Sequence, residues 1–194
     1  MKEQRDHLTD LAIAIHEAGH AVAAIALRAP GLRDATIDSE IDGYVGHCTI
    51  DRGARVTWGP RLKRHPLNDG IVVKLAGNVA GRRGAAIHCY PLWPSEPDEE
   101  NAFGIAMDIS IISIGGDHEA NARKVLDRLR KRTERVVERY YPHIEAVAWA
   151  LIEQRTMQAA EIRRVFNRIA EIEKSGWEPP FRYEAFPEVG QQPA

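Results

Sequence analysis

Cysteine is nearly missing from this chain, with two in 194 residues. Two thiols exclude a disulfide framework and a four-cysteine zinc site, and they fit a reducing compartment. A charge excess is missing as well: Lys and Arg number 26 against 28 Asp and Glu, a net −2 with His neutral. Nucleic-acid binding asks for a positive surplus on one face, so nucleic acid is not the expected partner. No long uninterrupted apolar run occurs. The longest stretch, Leu11 to Leu27, carries His16, Glu17 and His20. An unpaired charge at mid-bilayer is expensive, so no membrane span is expected. Glu3, Asp6 and Asp10 spoil the basic start of a secretory signal. The expectation is a soluble, cytoplasmic protein. Apolar residues, by contrast, make up 44% of the chain, enough to bury one compact core in a chain of this length.

The pattern along the chain reads as mainly α with one small β-hairpin or sheet. Thr9 or Asp10 caps a helix to about Arg28, stopped by Ala29-Pro30-Gly31. Its apolar residues cover most of the circumference, as in a buried helix. Ala35-Thr36-Ile37 and Tyr44 to Ile50 flank Asp42-Gly43, a hairpin pattern. Residues 52–66 hold Arg52, Arg55, Arg61, Lys63 and Arg64 and read as a solvated loop. Asn68 or Asp69 caps a second helix, in which Gly77, Gly81 and Gly84 allow close approach of a neighbour. Residues 88–97 are too rich in proline for regular structure. A third helix starts near Asp98, with Ala102, Ile105, Ala106 and Ile109 on one face. A long charged helix begins at Asp117 and breaks at Pro142, and two more run over about 143–155 and 158–174. The domain is thus expected over 1–174. Residues 175–194 hold four of the eleven prolines and read as an extended tail.

The first helix contains His16-Glu17-Ala18-Gly19-His20. Residues four apart lie on one helical face, so both imidazoles can reach one zinc ion with bonds of about 2.0–2.1 Å. Glu17 stands beside the metal, placed to take a proton from zinc-bound water. Two histidines and a glutamate on a helix of Ala, Ile, Leu and Val are costly to desolvate without such a partner.

A catalytic site needs a third protein ligand and one open position. The metzincin pattern requires Gly and His where this chain has Ala23 and Ala26, which excludes it. A glutamate on the next helix, as in thermolysin-like sites, is not available, because β pattern follows Pro30 and Glu40 lies near its turn. The source is then further along the chain. Asp98, Asp117 and His88 with Cys89 are the candidates; Asp108 reads as a surface residue inside a helix. Asp98 and Asp117 each open a helix, where a carboxylate also serves as an ordinary cap. His47, in the hairpin, is either an oxyanion stabiliser or a hydrogen-bonded structural histidine. Cys48 reads as packed, and His7, His65, His118 and His143 as surface.

His16-Glu17-Ala18-Gly19-His20-Ala21 resembles the zinc motif of the FtsH family, the ATP-dependent membrane metalloproteases, in their peptidase domain. Leu75-Ala76-Gly77-Asn78-Val79-Ala80 is similar to the family's Leu-Ala-Gly-Arg-x-Ala helix. Asp98 to Ala102, followed by Ala106, resembles the Asp-x-x-x-Ala-x-x-x-Ala segment, in which the Asp is the third zinc ligand. Asp98 stands 78 residues after His20, a separation similar to the family's. The stretch from Tyr141 to Phe166 is similar to the family's C-terminal helices. The resemblance spans about residues 9–170 and implies a zincin-like helical peptidase domain, with His16, His20 and Asp98 as metal ligands and Glu17 as catalytic base.

Two departures qualify what the resemblance implies. The ATPase module and membrane anchors that the family places before this domain are not among these residues. The expected substrates are therefore peptides or unfolded segments, with a separate ATPase or unfoldase as a partner and a homo-oligomer compatible with the family. Gly81-Arg82 stands where the family has Glu-Glu, and supporting contacts around a metal commonly matter 10–100-fold. Glu96, Glu99 and Glu100 are the nearby carboxylates for that role. The expected function is zinc-dependent peptide hydrolysis. The alternative is a zinc-stabilised binding or regulatory module, marked by a closed fourth position filled by a side chain such as Cys89.

Overall fold

The computed structural model describes residues 7–29, 31–38, 46–50, 66–90, 96–113 and 116–175. Among the described residues there are five helices and a small three-stranded antiparallel sheet: α1 (His7–Ala26), β1 (Leu32–Thr36), β2 (His47–Ile50), α2 (Pro66–His88), α3 (Glu96–Ser113), α4 (His118–Gln154), β3 (Thr156–Gln158) and α5 (Ala159–Lys174). The chain is mainly α with a small sheet, as the periodicity requires. The hairpin turn at Asp42-Gly43, the basic segment 52–65 and the tail from residue 176 lie outside the described residues.

α1 is the central helix. It packs against α2 on one side and α4 on the other, and thirteen of its residues from Leu11 to Ala24 are buried. By length and composition it would suffice to cross a bilayer, but 72% of its apolar window is buried inside this fold. Its alanines, Ala12, Ala14, Ala18, Ala21, Ala23 and Ala24, are all buried and let neighbouring backbones come near. Arg28 ends it in the left-handed region at φ 56°. The Ala29 N–H then donates to the Ala24 carbonyl at 2.8 Å, closing the terminus just before the expected Pro30 stop.

β1 is the middle strand, in the order β2-β1-β3. The expected pairing of the two hairpin strands forms, with Ala35 opposite Cys48 and Thr36 opposite His47. Ile37 is not part of it; its N–H turns to the Arg155 carbonyl at 2.9 Å. The third strand was not expected. Its three residues, with Met157 buried between exposed Thr156 and Gln158, are too few to show an alternating pattern.

Several helix starts move from their expected positions. α2 begins at Pro66 rather than Asn68, and α3 at Glu96 rather than Asp98, each with a proline in the first turn where its missing N–H costs nothing. Asp117 caps α4 by accepting from the Ala120 N–H at 3.0 Å. The expected break before Pro142 is present as a kink at Tyr140 (φ −109°, ψ 17°), which divides α4 into two helical segments. The kink turns His143 inward. It is 1% exposed, against its expected surface position, and its ring lies 4.4 Å from that of Phe166 on α5. One core joins α1, the sheet, the second half of α4 and α5, and another lies between α2, α3 and the first half of α4.

Candidate metal centre

The site forms where α1 crosses α2. Gly19 on α1 faces the α2 backbone so closely that a Cβ there would stand 2.8 Å from the Ala76 carbonyl and 3.1 Å from the Gly77 Cα. Across the contact, a Cβ on Gly77 would stand 2.8 Å from His16 Nε2 and 2.7 Å from His20 Cε1. Of the three glycines expected to admit a neighbour in α2, Gly77 and Gly84 do so, against the two histidines and Tyr90 respectively. Gly81 does not, since nothing lies within 4 Å of its Cβ position.

His16 and His20 stand one turn apart with their rings nearly perpendicular, centroids 4.7 Å apart. Asp98, in the first turn of α3, reaches the same place. His16 Nε2 and His20 Nε2 are 3.0 Å apart, and Asp98 Oδ2 lies 3.1 Å from the first and 3.0 Å from the second. Among the described residues this is the one group of three His, Cys, Asp or Glu side chains whose ligand atoms gather within 4.8 Å. The other candidates for the third position lie elsewhere. Asp117 is a helix cap. His88 pairs with Glu145 at 3.1 Å, eleven residues and roughly 16 Å along α2 from Gly77. Cys89 is exposed just beyond it.

The triangle of donors has a hydrogen-bond deficit. His20 Nδ1 is 2.7 Å from the Val73 carbonyl, which only accepts, so the proton of a neutral His20 ring sits on Nδ1. Its Nε2 then presents a lone pair, as does Asp98 Oδ2, 3.0 Å away. The His16 proton can serve one edge of the triangle, which leaves the His20–Asp98 edge without a donor. With the His16 proton on Nδ1, three lone pairs converge here, and these residues could hold a cation. A tetrahedral zinc with bonds of about 2.0–2.1 Å holds its ligand atoms about 3.3–3.4 Å apart, close to the spacing found here. The carbonyl fixing the far nitrogen of a ligating histidine is the usual outer support of such a ring.

Burial opposes charge on Asp98, but wherever the two imidazoles turn protons toward Oδ2 their hydrogen bonds and charge outweigh it and hold its carboxyl well below the ordinary range. Glu17, 6% exposed, behaves oppositely. Burial pushes its carboxyl up to about 7, with His16 and Lys74 opposing and Asp98 assisting. Glu17 lies under the start of β2: a Cβ on Gly46 would stand 3.2 Å from Glu17 Cγ and 2.5 Å from Ile13 Cγ2. The Cys48 thiol on that strand is likewise pushed up, by burial first and then by the Glu17 charge. His47 Nε2 stands 3.8 Å from Asp34 Oδ1 across β1 and β2.

Three participants escaped the sequence reading. Lys74 places Nζ 3.6 Å from Asp98 Oδ1, the oxygen turned away from the histidines. Its signal was present, as the one charge within Ile71-Val72-Val73-Lys74-Leu75. Gly46 makes room for Glu17, and the Val73 carbonyl, being main chain, carries no signal in the sequence. Of the carboxylates weighed as replacements for the family's acidic pair, Glu99 is engaged by Arg130 at 2.8 Å and Glu100 is exposed. The side chain of Glu96 lies outside the described residues. No protein-family profile and no curated protein sequence matches the chain.

Proposed function

We propose that the protein is a zinc-dependent peptidase of the FtsH type, with His16, His20 and Asp98 holding the ion and Glu17 as general base. The observation that carries this reading is the meeting of three ligand lone pairs beside a buried carboxyl that no ligand position uses. A purely structural site has no need of Glu17. When bound, zinc supplies a Lewis acid that polarises an amide carbonyl and makes water more acidic.

The remaining steps belong to the chain. Glu17 accepts a proton from the attacking water as its oxygen bonds to the amide carbon. The carboxylic acid so formed returns that proton to the leaving nitrogen as the C–N bond breaks. The Val73 carbonyl holds the His20 ring in register throughout. β2 is an edge strand among the described residues, and its first residues lie against Glu17. An extended peptide adding to that edge by main-chain hydrogen bonds would pass the base, and this pairing by itself reads no side chain. Such pairing requires free main-chain groups, so the substrates are peptides and unfolded segments, delivered where necessary by a separate unfoldase.

The test is cleavage of an unfolded, casein-like protein by zinc-loaded wild type and by Glu17→Gln of equal metal content. The expected result is cleavage that the variant loses by about a hundredfold or more. One zinc bound in both proteins with cleavage in neither refutes the peptidase and leaves a zinc-stabilised binding module.

A further inference from the structure

Lys74 is the outermost charge of the centre. It stands on α2, one turn before the Gly77 that lies under the two histidines. Its side chain is 35% exposed, against 15% for Asp98 and 12% for His16, so it forms the solvent edge of the group. Its contact with Asp98 Oδ1 is loose: 3.6 Å, where a charge-assisted hydrogen bond closes to about 2.7–2.9 Å. Asp98 cannot tighten that contact cheaply, because Oδ2 is committed to both histidines. Among the described residues no other carboxylate lies within ion-pair reach of Lys74. The ammonium, with three donors, therefore retains capacity for a stronger anionic partner.

The charge count points the same way. Two neutral imidazoles, the Asp98 and Glu17 carboxylates and a divalent ion sum to zero; Lys74 then leaves one positive charge at the rim. A substrate carboxylate beside the scissile amide neutralises it, whereas a basic side chain there adds repulsion in a site of reduced dielectric.

Resting on the hydrolase reading above, we propose that Lys74 is the specificity-determining residue of the centre, selecting substrates that carry a carboxylate next to the scissile bond. Such a carboxylate is an Asp or Glu side chain at the cleavage point or the C-terminal carboxylate of a peptide.

The experiment measures binding of two zinc-directed probes, succinic acid monohydroxamate and its primary amide, to the zinc-loaded chain by calorimetry. They differ in one carboxylate. Wild type, Lys74→Met and Lys74→Arg are compared after zinc content is measured in each. The expected result is binding of the acid about tenfold tighter than the amide in wild type. That ratio falls to about one in Lys74→Met and is largely restored in Lys74→Arg, with one zinc in all three. Equal binding of the two probes by wild type overturns the proposal. Loss of zinc from Lys74→Met also overturns it, since Lys74 would then serve only to hold Asp98. Discrimination between the probes by a protein that does not cleave casein removes the hydrolase reading and leaves the carboxylate recognition standing.

Discussion

Gly77→Ala separates the needs of the helix from those of the site. Alanine in a helix interior is worth about 1 kcal/mol over glycine, and Gly77 is helical with no positive φ to bar a side chain. On helix propensity alone the variant should be more stable. The structure reverses that expectation for the metal. The new methyl would stand 2.8 Å from His16 Nε2 and 2.7 Å from His20 Cε1, where ordinary contact begins at 3.4 Å. These atoms must then give way by about 0.6–0.7 Å, and His20 Nε2, which stands nearer still, by more, several times the roughly 0.2 Å within which ligand distances hold. Displacement of both histidines should exceed the 10–100-fold cost of losing an outer-shell contact, so zinc affinity is expected to fall by about 100-fold or more. Metal-free stability should change little. The helix gain of about 1 kcal/mol is offset by loss of the buried His20–Val73 hydrogen bond, worth about the same. The assay is zinc competition against a chromophoric chelator, with urea unfolding of the metal-free proteins alongside. Gly81→Ala is the control on the same helix: with nothing within 4 Å, it should gain up to about 1 kcal/mol and bind zinc as wild type does. Zinc affinity of Gly77→Ala within about threefold of wild type would refute the argument, because the working nitrogens would then not lie above that glycine.

Asp98→Ala and Asp117→Ala test the choice of third ligand together: the first should abolish stoichiometric zinc binding, while the second should keep it and cost about 1 kcal/mol of stability through its lost cap. Zinc retained by Asp98→Ala and lost by Asp117→Ala would reverse that assignment. His143 predicts a pH dependence of stability. Burial lowers its pKa from the ordinary 6.5, with Glu173 opposing, so the unfolded chain takes up this proton first on acidification. Its contribution is complete above about 6.5 and is lost as the pH falls from there through the lowered folded value. The urea midpoint of His143→Leu should therefore fall less than that of wild type between pH 7 and pH 5, and parallel curves would count against the burial argument.

The helices and the first half of the site were legible for one reason: helical period is a local property. His16 and His20 share a face whatever surrounds them, and the apolar run around them required burial. Asp98 was not legible in that way. As a residue opening a helix it looked like Asp117, and the two were separated by likeness to a family segment rather than by any local pattern. The structure separates them by packing, since α3 runs against α2 and brings its first turn to the histidines, while the start of α4 faces solvent. The misread residues share a cause. His143 follows Pro142 and had the pattern of an exposed helix end, but the kink carries it beneath α5. Lys74 drew no reading at all, because its partner Asp98 arrives from α3. β3 exists because β1 needs a second partner for its other edge, a requirement set by tertiary structure.

The scarcity of large side chains around the site follows from the same geometry. With aromatics at 7% and α1 lined by buried alanines, each residue of this core removes less apolar area from water than a leucine or phenylalanine would. Larger residues at Gly19, Ala76, Gly77 or Ala80 would push α1 and α2 apart. The Val73 carbonyl would then move out of reach of His20 Nδ1, releasing the ring whose orientation makes Nε2 a lone-pair donor. Close packing of small residues is thus a condition of the site and a weakness of the fold at one contact. A bound cation offsets that weakness in the place where it arises, because it ties α1 to α3 across α2 and stabilises the folded state by mass action. Glu17 gains from the same arrangement. Buried under Gly46, it is costly to ionise in the metal-free protein, and a divalent charge beside it lowers that cost. On the proposed function, metal binding, folding of the α1–α2 contact and readiness of the base would be one coupled equilibrium.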